Sequence, residues 1–278
     1  MIARPLLPDD VPAAAAAAVA ALPAPPDQAA GRVEYMERRI GHMQRTDPAG
    51  AHVAVDEDGT VVGVGLAIVR DGVWGLSLLG VLPDRHARGA GRALLRACLE
   101  TAEDAPRGQL ILSSTDPKAM RLYARAGFRL LPCVALAGIL DRDRIPLGLA
   151  STPSDDFERA VQVGRAVRGG AYDAEDLRVL RPDSRLLVCG DRGFAVHSDG
   201  TVKLLCATDE EAATDLLWSC FAAATPGATV GVDFITAGQD WAIQTGLAAG
   251  LLLSPDGPVF ARGELGPLRP WLPSGALL

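Results

Sequence analysis

Apolar periodicity runs through one order of elements twice in this 278-residue chain, and that repetition restricts the fold more than any other feature. In the first half, a short strand at residues 2–6 and helices at 11–22 and 28–45 precede strands at 51–55, 60–69 and 73–81, with Asp58-Gly59 and Asp71-Gly72 as turn signals. A helix through Leu94, Leu95, Cys98 and Leu99, a strand at 109–113, a helix opened by Asp116-Pro117 and closed by Gly127, and a strand from Phe128 follow. After helices at 156–167 and 174–180, the second half predicts strands at 185–189, 194–197 and 202–207, a helix at 210–223, a strand at 229–234, a helix at 239–249 and a strand at 258–262. Strand, strand, strand, helix, strand, helix, strand thus occurs twice, the mark of an internal duplication of fold with little surviving identity. Prolines, charges and small polar residues interrupt the pattern at 140–155 and predict two domains, 1–140 and 141–278. The fold class expected is α+β, each domain a mixed, largely antiparallel central sheet flanked by helices.

Hydrophobic residues make up 49% of the chain and charged residues 22%, a balance that supports a buried core and excludes a disordered chain. The five cysteines stand singly in apolar runs without a CxxC pair, as in a reduced, cytoplasmic protein. Asp9, Asp10 and Pro12 break up the alanine-rich N-terminus as a leader sequence, and no run reaches the roughly 20 apolar residues that span a bilayer. The whole net charge of −7 falls in residues 141–278, which disfavours a nucleic-acid partner. The histidines are isolated from other ligands at metal spacing, so no metal is expected.

The stretch from Val81 to Leu95, VLPDRHARGAGRALL, joins the end of a predicted strand to the start of a helix. Gly89 and Gly91 let backbone N–H groups converge there, the helix N-terminus adds partial positive charge, and Arg85, Arg88 and Arg92 add full charges. These features point to a phosphate or pyrophosphate. A nucleotide-triphosphatase loop would end in Gly-Lys-Ser/Thr, whereas Arg92-Ala93 follows Gly91. A dinucleotide fingerprint would need a third glycine close behind a first strand, and none is present.

Val81-Leu82-Pro83 and His86-Ala87-Arg88-Gly89-Ala90-Gly91 resemble the strand end and the Arg/Gln-x-x-Gly-x-Gly/Ala loop of the GNAT superfamily of acyl-coenzyme A-dependent N-acetyltransferases, with His86 where Arg or Gln is usual. A second stretch, Asp116 through Ala119, Leu122-Tyr123 and Gly127-Phe128, resembles that superfamily's Asn-x-x-Ala-x-x-Leu-Tyr-x-x-x-Gly-Phe helix. The resemblance covers residues 1–137 and implies that Val81, His86, Ala87, Arg88, Gly89, Ala90, Gly91 and Arg92 bind acetyl-CoA. It further implies that Tyr123 protonates the departing thiolate. From periodicity alone, Tyr123 reads as an aromatic packed on the helix face shared with Ala119 and Leu122; the acid role comes from the resemblance. Glu34 and Glu37, on the helix that lines the acceptor pocket in this superfamily, are candidate bases acting through water, and Leu278 is a further pocket candidate through its carboxylate.

The second half resembles the same fold with its chemistry removed. Thr208-Asp209-Glu210-Glu211 places carboxylates where the glycines would be, and an alignment of Gly246 with Gly127 puts Ala242 in the place of Tyr123. The activity implied is transfer of an acetyl group from acetyl-CoA to a primary amine of a small molecule or peptide. A non-catalytic acyl-CoA-binding module and a transferase for another acyl group are the alternatives.

Overall fold

In the computed structural model, described over residues 1–22, 31–86, 88–102, 107–180 and 183–278, the chain is α+β with two compact units. Residues 1–69 and 74–106 form the first, and residues 70–73 and 107–278 the second. These units do not coincide with a division near residue 140.

The first unit contains β1 (Ile2–Pro5), α1 (Val11–Ala21), α2 (Arg32–Thr46), β2 (Ala51–Val55), β3 (Val61–Arg70), β4 (Val73–Val81) and α3 (Ala90–Glu100). Its strands lie in the order β1-β2-β3-β4, with β1 and β3 antiparallel to β2. The helix expected over 28–45 is found at Arg32–Thr46, and residues 28–30 lie outside the described ones. Ala90 and Leu94 on α3 pack with Ala54 and Val62 of β2 and β3, which fixes the start of α3 directly after the glycine loop.

The second unit contains β5 (Gly108–Leu112), α4 (Pro117–Arg125), β6 (Arg129–Ile139), β7 (Thr152–Ser154), α5 (Phe157–Ala160), α6 (Gly164–Val167), α7 (Ala174–Leu180), β8 (Arg185–Val188), β9 (Gly193–Ser198), β10 (Thr201–Ala207), α8 (Glu210–Ala222), β11 (Thr229–Thr236), α9 (Asp240–Ala248), β12 (Leu252–Gly263) and β13 (Trp271–Leu272). The helix expected over 156–167 is instead two short turns, α5 and α6, joined by a 3-10 turn. The last long strand begins at Leu252, six residues before the apolar run that predicted it.

The order β5-β12-β6-β11 explains why the compact units divide as they do. β12 is antiparallel to both β5 and β6, and β6 is antiparallel to β11. Each β-α-β segment therefore sends its last strand into the pairing of the other: β12, from the second half of the chain, lies beside β5, and β6, from the first, lies beside β11. Residues 129–139 consequently pack with strands that follow them by about a hundred positions.

A second departure lies between β10 and β11. These strands are parallel and pair only at Thr201 with Gly231. Further along β10, Leu205 and Cys206 pair instead with Leu272 and Trp271 of β13, on the side of β10 away from β9. The chain's own C-terminal segment fills the gap where β10 and β11 part.

Candidate functional site

β4 ends at Val81, and a 3-10 turn at Pro83–Arg85 carries the chain to His86. The imidazole Nε2–H of His86 donates to the Val81 carbonyl at 2.9 Å, and the Leu82 amide donates to Val62 of β3 at 2.9 Å. The start of the loop is thus anchored to the sheet. His86 spends this donor on the backbone, a role its place in the loop motif did not announce.

Gly89 is the N-cap of α3 with φ +89° and ψ −6°, a left-handed conformation that costs an L-residue about 1–2 kcal/mol. Among the described residues, a Cβ built on Gly89 would meet no atom within 4 Å, so that side of the helix start is open. Gly89 itself offers no side chain to cap that end of α3, and among the described residues no side-chain acceptor is seen on its first amides. The helix-start amides therefore remain as donors beside the partial positive charge of the N-terminus. Arg88 and Arg92 are exposed and have no ion pair among the described residues. Arg85 differs: its guanidinium lies 3.7 Å from Asp56 and 3.6 Å from Asp84, so its charge is already neutralised. Val81 and Gly91 are half-buried and Ala90 is buried, while Ala87 lies outside the described residues. The described part of the loop fits the pyrophosphate of a coenzyme A: open glycine backbone, unfilled helix amides and two uncommitted arginines.

Glu34 is exposed in the first turn of α2 and Glu37 is half-buried. The buried member of that helix which sequence reading missed is Arg39, 5% exposed, donating through Nη2 to the Ser77 carbonyl of β4 and to Ser77 Oγ at 2.9 Å. A helix-spaced arginine among Met36, Ile40 and Met43 was the available signal.

In the second unit, Asp116 caps α4 by accepting from the Lys118 amide at 2.8 Å, and Gly127, φ +86°, closes it. Tyr123 is the buried residue of α4, 5% exposed, its ring 5.4 Å from that of Phe260 in an edge-on arrangement. Leu278 is buried, and its backbone oxygen accepts from Arg168 Nη1 at 2.6 Å. Arg168 is itself buried, stacked 3.9 Å over the Tyr172 ring, and donates to Gly170, Ala171 and Leu277 as well.

The helix corresponding to α3 in the second half is α8, and its start is occupied. Asp209 accepts from the Ala212 amide at 2.9 Å, and Arg192 pairs with both Asp209, at 2.6 Å, and Glu211, at 2.8 Å. Arg192 and the helix amides hold the Asp209 carboxyl well below the usual carboxylate range. The register of the next helix corrects the alignment read from sequence. Gly250, φ +83°, follows the α9 C-cap as Gly127 follows that of α4, and the Leu251 amide bonds to Gly246 as that of Phe128 bonds to Tyr123. The counterpart of Tyr123 is therefore Gly246, not Ala242, because the left-handed closing residue is Gly250.

The described residues hold no group of three or more His, Cys, Asp and Glu arranged for a metal ion, and no helix among them is long and apolar enough to cross a membrane. All five cysteines are free.

The sequence profile of the Acetyltransferase (GNAT) family matches residues 17–128. A mycothiol acetyltransferase of Clavibacter sepedonicus is 39% identical over 85 residues, 30% of this chain and 28% of the relative. An uncharacterized N-acetyltransferase of Mycobacterium bovis is 38% identical over 88 residues, 31% of this chain and 56% of the relative. The matches thus span about a quarter to a half of those relatives' own length. Among solved structures, a Pyrococcus horikoshii chain provisionally described as an acetyltransferase superposes with a TM-score of 0.79 at 18% identity, covering 100% of this chain and 95% of that one. A GCN5-related N-acetyltransferase from Sphaerobacter thermophilus gives 0.58 at 17% identity, over 99% and 98%. At such identities the superpositions establish the fold.

Proposed function

Because the chain carries a GNAT-family acetyltransferase domain over residues 17–128, we propose that it transfers an acetyl group from acetyl-CoA directly to a primary amine of a small molecule or peptide. The observation that carries this reading is the open, uncapped start of α3 behind Gly89, flanked by the uncommitted Arg88 and Arg92. Those amides and guanidinium groups take the pyrophosphate of the donor. The amine nitrogen attacks the thioester carbonyl carbon, the carbon–sulfur bond breaks, and the departing thiolate takes the phenolic proton of Tyr123. That role rests on the position of Tyr123 in the α4 motif. The amine's own proton passes to solvent, with Glu34 and Glu37 as the carboxylates of α2 able to relay it through water, and the Tyr123 phenolate regains a proton from solvent before the next turnover.

The C-terminal half, residues 141–278, is proposed as a degenerate second copy. Asp209 and Glu211 with Arg192 occupy the start of its corresponding helix, Gly246 stands in place of the tyrosine, and β13 fills the gap beside β10. The five free cysteines accord with a cytoplasmic location.

A panel of primary amines incubated with acetyl-CoA, with free thiol released as the readout, tests the proposal. Thiol release dependent on an amine supports it; acetyl-CoA binding without release for any amine favours a binding module, and release with propionyl- or succinyl-CoA alone reassigns the acyl group. Tyr123→Phe should lower turnover while leaving donor affinity within about twofold, because only the transition-state interaction is removed.

A further inference from the structure

The second unit contains a cleft of about 530 Å³ that shares no residue with the glycine loop or with α4. Its walls are the start of β6, the end of β12, the end of β11 and residues 265–269. Arg129, Arg262 and Arg269 all line it, and no lining residue is acidic. This concentration of positive charge lies in a chain whose net charge is −7, so it is not a reflection of overall composition.

The arginines are set in a built framework. Arg262 donates from Nε to Gln109 Oε1 and from Nη1 to the Ala126 carbonyl, both at 2.7 Å, and lies 4.6 Å over the Phe128 ring. All three partners are neutral, so they orient the guanidinium without cancelling its charge. The Arg269 guanidinium rests on the backbone of Gly238, where a Cβ would come within 2.4 Å of Cζ. The loop carrying it is pinned by Gly266 and Leu268 amides donating to Arg168 and Val167, at 2.9 and 2.8 Å, and by Gln239 Nε2 donating to the Leu268 carbonyl at 2.7 Å. Arg129 and Arg269 are exposed and have no ion pair among the described residues. Planar guanidinium forks match phosphate oxygens, and the volume is that of a small-molecule site.

We infer that this cleft binds a small phosphorylated molecule. The ligand's phosphate oxygens accept from Arg129 and Arg269 at the rim and from the braced Arg262 within. Thr236 and Pro267 line part of the remainder.

The test is a calorimetric titration of inorganic pyrophosphate at constant ionic strength into Gly89→Glu protein, in which the glycine loop is blocked, and into the same protein carrying Arg129→Ala and Arg269→Ala. Both arginines are exposed, so their truncation leaves the fold intact, whereas Arg262 braces Gln109 and Ala126 and is left in place. Saturable binding tighter than about 1 mM, weakened at least about tenfold by the two truncations, is the expected result. In protein that keeps Gly89, truncating Arg129 and Arg269 should lower the pyrophosphate stoichiometry from two sites to one, which covers the case of a misfolded Gly89→Glu variant. Absence of saturable binding up to about 10 mM, equal affinity with and without the two arginines, or tighter binding of citrate than of pyrophosphate would each overturn the inference.

Discussion

The imidazole of His86 donates to the carbonyl of Val81 across 2.9 Å, tying the start of the glycine loop to the last residue of β4. The loop is held by that bond rather than by a side chain reaching forward to a ligand. His86→Gln can keep a donor in this position, whereas His86→Phe cannot. The Phe variant should lose about 0.5–1.5 kcal/mol of stability and bind acetyl-CoA several-fold more weakly. The Gln variant should stay within about twofold of wild type, checked by titration calorimetry beside urea unfolding.

Gly89→Ala tests backbone conformation apart from space. Since no atom of the described residues lies within 4 Å of a Cβ at this position, its cost comes from the positive φ. The expected destabilisation is about 1–2 kcal/mol by chemical denaturation, with no rearrangement of Leu94 or Leu95 in the core.

How much of this architecture could be read beforehand differs from element to element. Strands 51–55 and 73–81, the Asp116 cap and the left-handed Gly127 follow from local rules, and the structure has each of them. The exchange of β6 and β12 does not, because Leu136 pairs with both Val232 and Leu253, and an apolar strand carries no sign of which partner it will take. β13 is two residues in a proline-rich tail, too short for any periodicity. At the site, the glycines and the tyrosine motif were legible as spacing, while Arg39 on Ser77 and His86 on Val81 were not, since each bond depends on which backbone oxygen folding brings near.

Ser77→Ala removes one of the acceptors of the buried Arg39 guanidinium and should cost about 1–2 kcal/mol. Arg39→Ala strips the Ser77 carbonyl of its charged donor as well and should cost more. Urea midpoints with unchanged m-values check both.

Gln239 is fully buried; its Oε1 accepts from Trp241 Nε1 at 2.8 Å and from the Trp271 amide at 3.2 Å, while its Nε2 donates to Leu268. Gln239→Ala leaves the buried Trp241 Nε1 and Trp271 amide, and the half-buried Leu268 carbonyl, unmatched and should destabilise by about 2–4 kcal/mol. Amide exchange should rise first at Trp271 and Leu272, the residues of β13.

Burial lowers the pKa of His52 and of His197, and the Nδ1 of His197 accepts from the Gly200 amide at 3.3 Å, an arrangement that suits the neutral ring. The unfolded chain, with histidines near the ordinary value of about 6.5, then binds more protons than the folded one below that pH. Stability should be full above about pH 6.5 and fall as the pH drops toward the lowered folded values. Equilibrium unfolding from pH 8 down to about pH 5 measures the slope, and His197→Asn should make it shallower.

The central claim is that the loop behind Gly89 holds the pyrophosphate of acetyl-CoA. Calorimetric titration of acetyl-CoA into the wild-type protein and into Gly89→Glu examines it directly. The account predicts binding of micromolar strength by the wild type, about −8 kcal/mol, and its loss in the variant while circular dichroism is unchanged. Absence of binding by the wild type, or equal binding by the folded variant, would contradict it.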